Sequence, residues 1–227
     1  AKELPTTSQP TPYDFEVVYQ KVKEAGDQAV VLCVSSALSG TYQSARIAAE
    51  DYDNIYIVDS ESAAMGSGIL VELAFRLLDE GKSAQEIAAI LEEEKKKIVV
   101  VALVDTLEYL KKGGRVSKAV AFAGGMLNIK PVLAVVHGEI QMLGKARGSK
   151  MGNNLLVQEI DKAGGIDFSK PVLLGYSGIS DALLLKYIED SRHIWEGNLT
   201  EVRYTTVGSV IGTHAGPGAV VVAFFKK

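Results

Sequence analysis

Short apolar runs alternate with amphipathic stretches along the first half of the chain. AVVLCV, NIYIVD and IVVVALVD are continuous rather than alternating, the pattern of strands buried on both faces. Between them lie helical patterns. Phe15, Val18, Tyr19 and Val22 form one apolar stripe after Thr11, Pro12 and Asp14, which read as N-cap, first turn and N3 of a capping box. Gly26 closes that helix. SGTYQSARIAAED and SGILVELAFRLLDEG predict two more helices, and SAQEIAAILEEEKKK a third capped by Ser83 with Glu86 at N3. Strand–helix alternation predicts a parallel sheet with right-handed crossovers.

The pattern changes after Asp105. YLKKGGRVS, with its glycines and basic residues, reads as a boundary. PVLAVVHGEIQMLGKAR then predicts an antiparallel hairpin turning at His137-Gly138. A helix over 153–163, strand PVLLGYS, helix DALLLKYIEDS, and strands EVRYTTV and AVVVAFF follow. The expectation is an α/β protein of two domains. Residues 1–112 form a parallel-sheet α/β domain and 113–227 an α+β domain, with the ligand cleft between them.

Composition narrows the function. The chain has 227 residues, 47% of them hydrophobic and 23% charged, enough apolar material for a real core. A net charge of −4 argues against nucleic-acid binding. The run Lys95 to Lys97 follows Glu92 to Glu94 and reads as a solvated face with i,i+4 pairs. The single cysteine, Cys33, lies in an apolar run and reads as a small buried residue, and a cytoplasmic location fits. No apolar run approaches the roughly 18 residues of a membrane span.

Hydroxyls gather where an open parallel sheet binds its ligands, beyond the carboxyl ends of its strands. Ser35, Ser36, Ser39 and Thr41 follow the first strand, Ser60 and Ser62 the second, and Thr106 the third. Thr6, Thr7 and Ser8 precede a helix at the same edge. Hydroxyls and helix N-termini together can hold a carboxylate; equally, each Ser or Thr can cap its own helix. GSG at Gly66 to Gly68 lacks the third glycine of a dinucleotide fingerprint. GYSGI at Gly175 to Ile179 has its second glycine one place early for a nucleophile elbow. There is no Cys/His cluster for a structural zinc. His214, in GTHAGPGA, sits in a Gly-rich loop before the last strand, while His137 and His193 read as solvated.

TTSQP, SSALSGTYQSA, VDS, LKKGGRVS, LNIKPVL, GKARG and GTHAGPGA, in that order, resemble the DegV family. These are the bacterial fatty-acid-binding proteins that include the FakB subunits of fatty acid kinase. The resemblance implies two α/β domains with a fatty acid between them. It places the carboxylate on Thr7 and Ser39, with His214 beside it and Arg147 near the head group on the kinase-facing surface. It implies a carrier rather than an enzyme, without cofactor or metal. The carrier would load at a membrane surface by transient contact and present the carboxylate to a separate kinase subunit, yielding acyl phosphate for phospholipid synthesis. Family members usually begin with a further strand and an Asp-Ser turn, which this sequence does not show. Ala63, Met65, Ile69, Phe122 and Met126, apolar and near glycine-rich turns, are candidates for the tail pocket, or for plain core. The competing reading is a serine hydrolase acting on acyl esters, with Ser39 or Ser36 as nucleophile and His214 as base.

Overall fold

The computed structural model describes residues 4–116 and 128–227. Phe122 and Met126 lie outside the described residues.

Helix α1 (Pro12–Glu24) starts in the expected capping box: the Thr11 hydroxyl accepts from the Asp14 amide, and the Asp14 carboxylate accepts from the Thr11 amide. Of its apolar stripe Tyr19 is fully buried, whereas Val18 is 54% exposed. Strand β1 (Ala29–Cys33), helix α2 (Thr41–Ala48) and strand β2 (Ile55–Asp59) follow. β1 and β2 form a parallel two-stranded sheet in the register Ala29 to Ile55. Next come α3 (Met65–Asp79) and α4 (Ala84–Glu94), the latter capped by Ser83 and Glu86 as expected. A 3₁₀ turn then covers Lys95–Lys97.

That turn changes the fate of the lysine run. It places each lysine three residues from its partner, as Lys95–Glu92, Lys96–Glu93 and Lys97–Glu94 pairs, not four. Lys95 is also not solvated. Its side chain is 7% exposed, and its ammonium reaches Glu61 and the Asp59 carbonyl. It thereby ties the start of β3 to the end of β2.

Strand β3 (Ile98–Leu103) does not extend the parallel sheet, as the alternation suggested. It pairs antiparallel with β4 (Ile129–Val136) and with β8 (Val220–Phe225). A run buried on both faces identifies a central strand but carries no sign of strand direction. Helix α5 (Glu108–Lys112) follows β3. The hairpin of β4 and β5 (Glu139–Arg147) forms as expected, with His137 and Gly138 both at positive φ in its two-residue turn. Then come α6 (Gly148–Lys162), β6 (Leu173–Tyr176), α7 (Ala182–Asp190), α8 (Arg192–Trp195), β7 (Tyr204–Thr206) and α9 (Ser209–Ala215). The larger sheet has the order β5-β4-β3-β8-β6-β7 and is mixed, with β6 and β7 parallel. The whole is a mixed α/β fold.

Strand β8 separates two cores. Val220, Val222 and Phe224 face a cluster with Leu156 and Ile160 of α6 and Leu184 and Tyr187 of α7. Val221, Ala223 and Phe225 face Ile69 and Leu73 of α3 and Leu91 of α4, a cluster that also takes in Val58 of β2. Alternation along a doubly buried strand thus joins both sheets through α3 and α4. A smaller cluster, Val104, Leu110, Leu133 and Ala219, fills the end of the larger sheet near α5.

Cys33 is 3% exposed at the end of β1, and its thiol pKa is pushed up to about 11 by burial and then by the Asp59 carboxylate. The thiolate is the reactive form. Iodoacetamide at neutral pH should therefore leave Cys33 unmodified in the folded chain and label it fully in denaturant. Rapid labelling of folded protein, read by mass spectrometry, would contradict this packing.

Candidate functional site

A cavity of about 490 Å³ opens between the two halves of the fold. One wall is the face of the larger sheet: Val100 and Ala102 of β3, Leu133 and Val135 of β4, and Val221 of β8. These alternate residues share one face because the registers pair Val100 with Val135 and Ala102 with Leu133. Opposite lie Val34, Leu38, Ala63 and Ala64, from the ends of β1 and β2. These walls are almost wholly aliphatic.

One end of the cavity is polar. Thr7 Oγ1 and His214 Nε2 are 2.8 Å apart, joining the segment before α1 to the last turn of α9. Ser39 Oγ and Thr41 Oγ1 are also 2.8 Å apart, and the Thr41 amide donates to Ser39 Oγ at 3.3 Å. Gln9 and Arg115 complete the cluster. Each pair spends one proton on its own hydrogen bond; for Thr7–His214 the other is available to a guest only when the ring donates through Nε2, because Nδ1 is buried against Gly113. If the His214 ring donates to Thr7, the Thr7 hydroxyl proton is free; if Thr7 donates, the proton sits on Nδ1. Likewise either Ser39 or Thr41 retains an outward hydroxyl proton.

Local sequence explains how these groups meet. His214 does not lie in a Gly-rich loop as expected. It closes the short helix α9, and the glycines that follow make the exit. Gly216 at φ 71° packs directly against the Tyr109 ring, where a Cβ would collide. Ser177 is buried; its hydroxyl donates to the Gly216 carbonyl and accepts from the Ala219 amide at 2.9 Å. The serine of the GYSGI stretch therefore positions the loop behind His214. On the other side, a Cβ at Gly113 would collide with His214 Nδ1, so glycine there makes room for the imidazole. Gly114 then turns the chain at φ 68°, and Arg115 folds back. Its Nε donates to the Leu38 carbonyl at 3.2 Å and its Nη1 to the Gly113 carbonyl at 2.7 Å.

Electrostatics divide the work within the cluster. Burial, and then the Arg115 charge, hold the His214 pKa below its usual value. His214 is thus a neutral hydrogen-bonding group, and Arg115 supplies the fixed positive charge. The His214 Nδ1 is buried without a partner among the described residues.

The structure gathers Thr7, Ser39, His214, Ser8 and Thr41 at the cavity, with Ala63 on its wall. It does not gather every hydroxyl. Ser35 donates to the Gly138 carbonyl at 2.8 Å, Thr106 accepts from the Glu108 amide at 3.2 Å, and Ser60 bonds Ser67 at 3.0 Å. These are turns and tethers. Met65 and Ile69 are buried in the α3 core and do not line the cavity; Met65 packs over Gly175 of β6. Arg147 is exposed at the junction of β5 and α6, outside the cavity lining. Arg115 and Gln9 were not singled out by the sequence, although the GGR turn and the Gln beside Thr7 were visible in it. Ser39 and His214 do not bond to one another, since each has a different hydroxyl partner.

An α/β fold enclosing an aliphatic cavity with one polar end is built for a small amphipathic guest, not for a flat or wholly polar one. The DegV family model, described as covering uncharacterised proteins, matches residues 1–227. The chain belongs to the DegV family. A DegV domain-containing protein of Caldanaerobacter subterraneus is 35% identical over 99% of this chain and 80% of its own length. A Thermotoga maritima protein named as a fatty acid-binding protein is 33% identical, over 97% of this chain and 77% of its own. Among solved structures, a Thermus thermophilus DegV family protein described for its fatty acid binding superposes with a TM-score of 0.85 at 34% identity. It covers 97% of this chain and 79% of that one.

The lowered His214 pKa sets a pH dependence of stability. The unfolded chain, with a histidine pKa of about 6.5, binds this proton more readily than the folded one. Stability from the neutral ring is present above the unfolded pKa and is lost as pH falls through the folded value. Urea unfolding of the wild type should weaken more steeply between about pH 7.5 and pH 5.5 than that of His214→Gln, which cannot titrate there. Equal losses in the two proteins would show that the ring is not held neutral.

Proposed function

We propose that this protein binds one long-chain fatty acid, its carboxylate among Thr7, Ser39, His214 and Arg115 and its alkyl chain along the aliphatic walls. The observation that carries this reading is the asymmetry of the cavity: aliphatic along its length, with a neutral imidazole, paired hydroxyls and one guanidinium at a single end. A carboxylate can accept hydrogen bonds from these hydroxyls and face Arg115. Each such bond to a charged group contributes about 1.5–3 kcal/mol. The tail contributes about 0.8 kcal/mol per buried methylene, offset by the cost of ordering it. The fatty-acid-binding relatives in Thermotoga and Thermus support the same guest.

In this reading the protein is a carrier. It presents the carboxylate to a separate ATP-dependent kinase, which forms the acyl phosphate for phospholipid synthesis, and it loads by transient contact with a membrane surface in the cytoplasm. The exposed Arg147 belongs to the kinase-facing surface in this arrangement. A hydrolase would need a hydroxyl–imidazole pair with an orienting carboxylate on the far ring nitrogen. The hydroxyl that meets His214 is Thr7, not Ser39 or Ser36, and Nδ1 has no such partner among the described residues.

Delipidated protein titrated with palmitate should bind it stoichiometrically. Ser39→Ala should weaken binding by about tenfold, the value of one hydrogen bond to a charged group. The same variant should lose more in acyl phosphate formation with kinase and ATP, because the carboxylate is then misoriented. Unchanged affinity together with unchanged transfer would remove Ser39 from the site.

A further inference from the structure

Thr7 sits on a piece of chain with little backbone support. Residues 4–11 form neither helix nor strand. No backbone amide or carbonyl of residues 4–10 bonds to another backbone group among the described residues. Prolines at 5, 10 and 12 stiffen it instead. Each fixes its own φ and biases the residue before it toward extended backbone. Thr11, ahead of Pro12, lies at φ −79° and ψ 161°. The result is a stiff strap at the polar end of the cavity, which Thr7, Ser8, Gln9 and Pro10 line.

Two side-chain bonds tether the strap. Thr7 meets His214 at 2.8 Å, and Gln9 Nε2 donates to Ser44 Oγ at 3.1 Å. The second tether lands on a fixed point, since Ser44 is 2% exposed near the start of α2. The Gln9 amide also lies over Gly40, where a Cβ would collide with it. Gly40 has φ −72°, which any residue can take, so glycine serves there for the close approach and not for its backbone. Gly40 stands between Ser39 and Thr41, the second hydroxyl pair of the site. Gln9 thus seats the Thr7 strap on the same stretch of backbone that carries Ser39.

We propose that Gln9 is a positioning residue that sets the separation and angle of the Thr7 and Ser39 hydroxyls, so that both meet one carboxylate. The inference rests on the fatty-acid reading above. Thr7 cannot position itself. Its one side-chain oxygen serves both His214 and the guest, and a single bond leaves the strap free to swing about it. A second tether two residues along removes that freedom. Angle matters because a hydrogen bond weakens steeply as it bends. Gln9 acts through Thr7, with its own amide engaged by Ser44 and Gly40.

The test is the affinity of the delipidated full chain for palmitate, together with the NMR resonance of the isotopically labelled carboxyl carbon of the bound acid. Gln9→Ala should weaken binding about fivefold, the worth of one neutral hydrogen bond, and move the carboxyl resonance toward its position in Thr7→Ala. Gly40→Ala keeps every polar group but drives the Gln9 amide from its seat, and should reproduce both changes. Because the effect runs through Thr7, adding Gln9→Ala to Thr7→Ala should cost no further affinity; adding Gly40→Ala to Gln9→Ala should also cost none. Gln9 is exposed, so its alanine variant keeps the test decisive if Gly40→Ala does not fold. Wild-type affinity in Gln9→Ala, a lowered urea midpoint with an unmoved carboxyl resonance, or losses that add in full in either double variant would overturn the positioning role and leave the fatty-acid reading standing. A wild type that binds no palmitate would overturn both.

Discussion

One contact ties the molecule's function to its fold: the 2.8 Å approach of the Thr7 hydroxyl to the His214 imidazole, across 207 residues of sequence. It joins the segment ahead of α1 to the turn ahead of β8, and so closes the polar end of a cavity whose remaining walls are aliphatic. The contact requires several unrelated pieces of chain to arrive together. Glycine at 113 leaves space for the ring, Ser177 fixes the loop after it, and Arg115 folds back to lay its charge beside it. Without that end the cavity would be an apolar void with no means of orienting a guest.

Burial makes the contact useful. A charged histidine in this position would face the Arg115 guanidinium and lose hydration, so the ring stays neutral. A neutral ring can accept a hydrogen bond or donate one according to tautomer, and among the described residues lining the cavity the formal charge belongs to Arg115. Hydrogen bonding and charge compensation thus fall to different residues. A carboxylate can be held at one end while the rest of the ligand pays only the entropy of ordering its chain.

Much of this arrangement was legible in the sequence, for identifiable reasons. The capping boxes of Thr11 and Ser83 form as read, because a cap is a local contract between residues three apart. The hairpin at His137-Gly138 forms because its turn residues tolerate positive φ. Thr7, Ser39 and His214, far apart in the chain, all line one cavity. What was not legible depends on long-range packing. The direction of β3 is set by its partners β4 and β8 and not by its own residues, which would suit a parallel strand as well. Arg115 read as part of a linker, because only the folded structure brings Leu38 within its reach. Met65 and Ile69 were candidates for the tail pocket, yet helical phase turns them into the α3 core, and the wall is built instead from alanines and valines of the strands. Lys95 looked solvated until the 3₁₀ turn carried it onto the end of β2.

Native mass spectrometry of the purified chain, with extraction and identification of whatever lipid it carries, tests the central claim most directly. One non-covalently bound fatty acid per chain, released on denaturation as the free acid, is the expected result. A folded protein that stays empty when offered fatty acid, or an acyl group found covalently attached to Ser39 or Thr7, would contradict it.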